Sequence, residues 1–253
     1  MSSHVVQDTA ALTGRTLRHV TRSPDTIVTT AVMPIALLLL FVFVLGGAID
    51  TGSASYVDYL LPGVLLITVA SGVSYTAFRL FQDKQSGIID RFRSMPITRS
   101  ALLWAHVLTS VTANALSLLL VLAVGLLIGF RPAAGPAAWC AVVGLLLLVT
   151  LTLTWVAIVP GLLARTVDGA SAFSYPLILL PFVSSAFVPT GSMPAPVRLF
   201  AEHQPVTAIV DTLRALLAGQ PVEGSIWPAI AWCAGVLVIA QVVAVRLFRR
   251  AAA

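Results

Sequence analysis

The chain has 253 residues, of which 58% are hydrophobic and only 10% charged, and its mean hydropathy is +0.97. Soluble domains carry about 25% charged residues, so this balance excludes a soluble globular fold and predicts an all-α polytopic membrane protein. The formal charge of +5 does not point to nucleic acid, because the basic residues sit in short segments flanking apolar runs.

Residues 1–26 read as a cytoplasmic segment carrying a helix that lies in the membrane interface. Arg15, Arg18, His19 and Arg22 recur at i, i+3, i+4 and i+7 in one basic stripe, with Val5, Val6, Leu12, Leu17 and Val20 opposite. The stretch is mostly polar and precedes an apolar run long enough to span, so it is not read as a cleavable signal. Residues 27–253 then read as a single transmembrane domain of six spans, at about 27–49, 59–81, 101–130, 137–164, 169–188 and 226–248. The third and fourth exceed the roughly 20 residues a bilayer core requires, and the fifth is interrupted by Pro176 and Pro181. Twelve Lys and Arg residues fall on one side of this arrangement and three on the other, which predicts that both termini are cytoplasmic.

Between the second and third spans, residues 82–99 hold six of the chain's 25 charged residues: Asp83, Lys84, Asp90, Arg91, Arg93 and Arg99. At helical spacing Ile88, Ile89, Phe92 and Met95 fall on one side and Asp90, Arg91, Arg93 and Ser94 on the other. Gly87 is placed to open such a helix and Pro96 to close it. Two readings stand: a positive-inside loop, or a helix whose apolar face presses on a cytoplasmic partner. The external connection 189–225 is also patterned, with Val206, Ile209, Val210, Leu213, Leu216 and Leu217 in an apolar stripe and Asp211 and Arg214 on the wetter side. Pro189, Pro194, Pro196 and Pro205 punctuate its approach. It reads either as a re-entrant lid or exit gate, or as an amphipathic helix resting on the outer surface.

Several chemistries are missing from the sequence. The single lysine, Lys84, follows Asp83, so no phosphate-binding Gly-Lys-[Ser/Thr] exists and any ATP must be hydrolysed by another polypeptide. The interiors of the six spans hold no Asp or Glu, which weighs against proton-coupled carriers and aspartyl proteases. Cys140 and Cys233 lie in apolar spans and read as small hydrophobes; no catalytic or metal site is predicted. His106 and Asn114, eight residues apart on one face of the third span, read either as a substrate path or as hydrogen-bonding glue between helices. Thr150, Thr152 and Thr154 are expected to bond back to their own helix.

Two stretches resemble a known family. Asp83-Lys-Gln-Ser-Gly87, Arg91-Phe-Arg-Ser-Met-Pro96 and Arg99-Ser-Ala-Leu-Leu look like the loop of ABC-2 type transporter permeases. Residues 180–189 (LPFVSSAFVP), Ser192-Met-Pro194, Gln204-Pro-Val-Thr207 and Asp211-Thr-Leu-Arg214 resemble the region before the last span in the daunorubicin/doxorubicin-resistance type of these permeases. Two departures are visible: Asp83 stands where a glutamate is usual, and Gln204 where an asparagine is often found.

The resemblance implies a non-catalytic permease in a bacterial plasma (inner) membrane, paired with a second permease copy and two copies of a separate ATPase subunit. ATP and Mg would be held by that subunit, with no cofactor in this chain. The N-terminal interfacial helix and a coupling helix would contact the ATPase, with Asp83, Gly87, Ile88, Ile89, Arg91, Phe92 and Pro96 in the coupling role. A re-entrant helical pair would form the exit gate, with Phe187, Val188, Pro189, Met193, Pro194, Pro205, Asp211 and Arg214 as its residues. Cargo would be amphipathic drugs, antibiotics or lipids moved outward through contact with membrane lipid. The alternatives are a membrane anchor that recruits a cytosolic partner, and an exporter of polysaccharide or lipid-linked glycan.

Overall fold

The computed structural model describes residues 24–47, 55–87, 99–222 and 224–251. The interfacial stripe Arg15, Arg18 and Arg22 and the coupling residues Ile88, Ile89, Arg91, Phe92 and Pro96 lie outside the described residues. Every regular element among the described residues is helical. In a chain this apolar, a helix is the local solution that satisfies each backbone group within its own segment.

α1 (Pro24–Leu40) carries Pro34 and passes into a π-turn at Phe41–Leu45. α2 (Tyr56–Gln85), α3 (Arg99–Leu127) and α4 (Pro136–Leu163) follow. The fifth apolar segment is short and broken into α5 (Val167–Ser171), α6 (Ser174–Leu179) and a 3-10 turn at Leu180–Val183. Thr166 caps α5 by accepting from the Gly169 N–H at 3.1 Å, while Pro176 and Pro181 keep the next turns from joining one regular ladder. After Val183 the chain turns through Ser184–Phe187 and enters a helical hairpin, α7 (Ala195–His203) and α8 (Pro205–Leu217). Gln204, in extended backbone, is its hinge, and Pro205 opens α8 where a missing N–H costs nothing. α9 (Ile226–Ala251) ends the described chain.

Among the described residues, four helices are long and apolar enough to cross a membrane: α2, Leu103–Leu127 of α3, α4, and Ile226–Phe248 of α9. Thr30–Leu45 and Val167–Val183 are apolar but shorter. Even a straight helix of the latter length would span only about 26 Å, less than the hydrocarbon core.

α2 is the centre of the bundle. Its apolar stretch is 78% buried, against 22% for that of α9, and it packs against α1, α3, α4, α5, α6 and α8. Two features of its sequence permit this. No acidic or basic side chain lies between Asp58 and Arg79, and small residues let neighbours approach. At Gly63 a Cβ would lie 2.6 Å from that of Ala186, and at Gly72 it would collide with the Asn114 amide. Around α2 the core divides in two. The larger cluster includes Leu60, Val64, Ile67, Phe130 and Leu213. The smaller gathers Leu80, Leu103, Trp155 and Phe248, with Trp104 edge-on to Trp155 at 5.5 Å. The stripe predicted in α8 faces inward, with Ile209, Val210, Leu213, Leu216 and Leu217 buried against α2, α4 and α9.

Candidate functional site

The polar chemistry of the molecule collects at the two ends of α2 and in a thin seam beside its middle. At the Gln85 end, Asp83 turns back into the bundle. Its Oδ2 lies 3.1 Å from Nε2 of His106 on α3, an ion pair whenever the ring carries its second proton. His106 is almost fully buried, while Asp83 keeps a third of its surface exposed. One residue on, Lys84 Nζ donates to the Leu162 carbonyl in the last turn of α4 at 2.7 Å, where helix carbonyls lack partners within the helix. The helix that Gly87 was expected to open lies outside the described residues. With φ at +68° Gly87 ends α2, which runs four residues past its predicted limit. The sequence thus placed Asp83 and His106 in separate groups, and the fold brings them together.

His106 and Asn114 do share one face, and both line a small cavity with Thr30, Thr76, Arg79 and Ser110. Its volume of about 20 Å³ holds roughly one water. The surrounding groups are largely spent on one another. Thr76 donates to the Ser110 hydroxyl at 2.8 Å, that hydroxyl lies 3.0 Å from Thr154 Oγ1, and Asn114 Nδ2 donates to the Ser110 carbonyl at 2.9 Å. Among the described residues, Asn114 Oδ1 is one of two buried side-chain atoms without a hydrogen-bond partner, Gln204 Oε1 being the other. This seam joins helices and has no room for a drug-sized molecule in this conformation. Thr150 and Thr152 bond back to Leu146 and Leu148 as expected, but Thr154 reaches across to α3 instead.

At the Tyr56 end, Asp211 and Arg214 are half-exposed on the wetter side of α8 and are tied into a network. The Arg214 guanidinium lies 3.8 Å over the Tyr59 ring and donates to Asp211 Oδ1 and the Ser185 carbonyl, each at 2.7 Å, and to the Tyr59 carbonyl at 3.3 Å. The Ser185 hydroxyl donates to Asp211 at 2.6 Å, and Tyr59 OH donates to the Ser185 carbonyl at 2.8 Å. A cation in so apolar a setting is held by a carboxylate, two carbonyls and an aromatic face at once. The network ties α8 to α2 and to the turn after the broken segment.

The gate residues read from sequence divide between this network and an outer rim. Phe187 is buried, stacked on Phe182 at 4.6 Å and packed on Phe41 at 4.8 Å, and its carbonyl accepts from Tyr56 OH. Pro205 starts α8 beneath the hinge, where the Gln204 amide donates to the Val183 carbonyl. Val188, Pro189 and Met193 are half-exposed and Pro194 is exposed. Sequence reasoning missed the contacts of Tyr59, Ser185 and Lys84. Only Lys84, the one lysine of the chain, stood out beforehand.

A largely buried central helix, tied to its neighbours by polar contacts at both ends and along its flanks, defines the body of a multi-pass helical membrane protein. The chain belongs to the ABC-2 type transporter family, whose profile matches residues 7–218. It is 27% identical over 254 residues to the daunorubicin resistance ABC transporter permease protein DrrB1 of Streptomyces coeruleorubidus, covering 95% of this chain and 88% of that one. It is likewise 27% identical over 255 residues to the probable doxorubicin resistance ABC transporter permease protein DrrC of Mycobacterium tuberculosis, covering 97% and 90%.

Proposed function

We propose that this chain is the membrane permease of an ATP-driven exporter that moves amphipathic drugs, antibiotics or lipids out of the cell. The observation that carries the mechanism is the course of α2. It runs from the Arg214 network at one end to the Asp83–His106 contact at the other, directly before residues 88–98. Motion imposed on that segment would pass along the most buried helix of the bundle to the turn that holds the hairpin.

In this reading the chain crosses the membrane six times with both termini in the cytoplasm. The broken segment at 167–183 and α1 complete the set begun by the four long helices. Two permease copies pair with two copies of a separate subunit that holds ATP and Mg and carries the catalysis. That subunit grips the face of Ile88, Ile89 and Phe92, flanked by Arg91 and Pro96, and it also meets the basic stripe of Arg15, Arg18 and Arg22. By linkage, nucleotide binding drives transport only as far as the subunit distinguishes inward-open from outward-open permease. The hairpin acts as the exit gate. The names of the two relatives support drug cargo.

Phe92→Asp tests the reading, since it sets a charge in the docking face outside the membrane. The expected result is loss of the ATPase subunit on purification and loss of doxorubicin efflux from cells. Retention of both at wild-type levels would overturn the coupling assignment.

A further inference from the structure

The break in the fifth apolar segment leaves a second cavity, far larger than the polar one. It lies among α2, α4, α6, α8 and α9, has a volume of about 220 Å³, and is walled by Ala70, Val149, Pro181, Ile209, Trp232 and Cys233 among others. Its walls are almost wholly carbon. The one hydroxyl on them, that of Thr152, is already bonded to the Leu148 and Cys233 carbonyls. The cause is legible in the chain: Pro176 and Pro181 stop a regular helix from filling this space, and Pro205 starts α8 across its top.

Depth decides what can enter. Ala70 is the middle residue of α2, about 22 Å from either end, so the cavity lies within the hydrocarbon core. An apolar cavity of about 150 Å³ stays dry in water and takes up benzene or xenon. A larger one, inside a bilayer, has even less reason to hold water. Trp232, half of it exposed on α9, marks the side on which the cavity meets the bilayer.

We propose that this cavity is a binding subsite for the hydrocarbon part of an amphipathic molecule, an aromatic ring or a length of acyl chain, entering past Trp232. Ile209 and Pro205 of α8 form part of its wall, so displacement of the hairpin reshapes it. Use of the subsite by exported cargo rests on the exporter reading; the subsite itself does not.

The test is photolabelling of the full chain, with its ATPase subunit, in vesicles of phosphatidylcholine bearing a diazirine midway along one acyl chain. The expected adducts fall on Val149 and Cys233, each 5% exposed or less and reachable from the bilayer through the cavity. A filled variant, Ala70→Leu with Val236→Phe, should lose them and keep those on Ile239, which faces outward. If the double variant does not fold, Val236→Phe alone serves. Doxorubicin added before irradiation separates the two sources. Loss of the interior adducts identifies cargo as the occupant, and their persistence identifies bilayer lipid. Interior residues left unlabelled, or labelled equally in the filled variant, would overturn the proposal. Absence of doxorubicin efflux by the wild-type complex would count against the exporter reading and leave the labelling result standing.

Discussion

The two ends of α2 are both secured by charge, but by different means. At the Tyr56 end the Arg214 guanidinium reaches three oxygen partners and an aromatic ring, with its side chain only 21% exposed. At the Gln85 end Asp83 and Lys84 each make one recorded contact to a neighbouring helix, His106 on α3 and the Leu162 carbonyl on α4. A guanidinium shared among several acceptors and an aromatic face fixes geometry, whereas a single contact is more easily exchanged. The Tyr56 end is therefore held by several partners at once. The Gln85 end is held by one contact to each neighbour.

Breaking the stronger end should have the largest effect. Arg214→Ala removes a charged donor shared by Asp211 and two carbonyls, together with its contact on the Tyr59 ring, and should destabilise the folded bundle by roughly 3 kcal/mol, read as a lowered Tm in detergent. Arg214→Lys keeps the charge but not the fork, so about half that loss is expected. The seam between the ends comes next. Gly72→Ala drives a methyl into the Asn114 amide and should cost about 2 kcal/mol. Asn114→Ala in the same chain should recover most of it, which a double-mutant cycle measures.

Asp83→Ala removes a single contact, that to His106, and should cost only about 1 kcal/mol. Its effect should appear instead as fewer doxorubicin molecules exported per ATP hydrolysed, with the ATPase subunit still bound. A fall in stability as large as that of Arg214→Ala would erase the contrast between the two ends. Lys84→Met, which removes one donor from the Leu162 carbonyl, should be the mildest at about 0.5–1 kcal/mol.

Much of the fold was legible because membrane burial is a long-range average that local sequence reports well. The long apolar runs at 59–81, 101–130, 137–164 and 226–248 correspond to α2, α3, α4 and α9 within a few residues. The stripe from Val206 to Leu217 marked the buried face of α8. The site was less legible. Asp211 and Arg214 were noticed as a pair on the wetter side of α8, but helical spacing does not reveal that Tyr59, 155 residues away from Arg214, supplies a carbonyl and a ring. Asp83 was grouped with the loop between the second and third spans and His106 with the third span for the same reason. Each was read in its own segment, and their partnership depends on how α2 and α3 are packed side by side.

The sequence by itself determined the solvent in which this protein lives, its helical class, the family to which it belongs and the absence of a phosphate-binding lysine motif. Those properties follow from composition, periodicity and short motifs, which are local. Only the tertiary structure decided which helix is central, where the charges at its ends find partners, and that the broken segment leaves an apolar cavity. These depend on contacts across 23 residues between Asp83 and His106 and across 155 between Tyr59 and Arg214. Such contacts form only when helices are packed together, and the hydropathy of each helix alone does not report them.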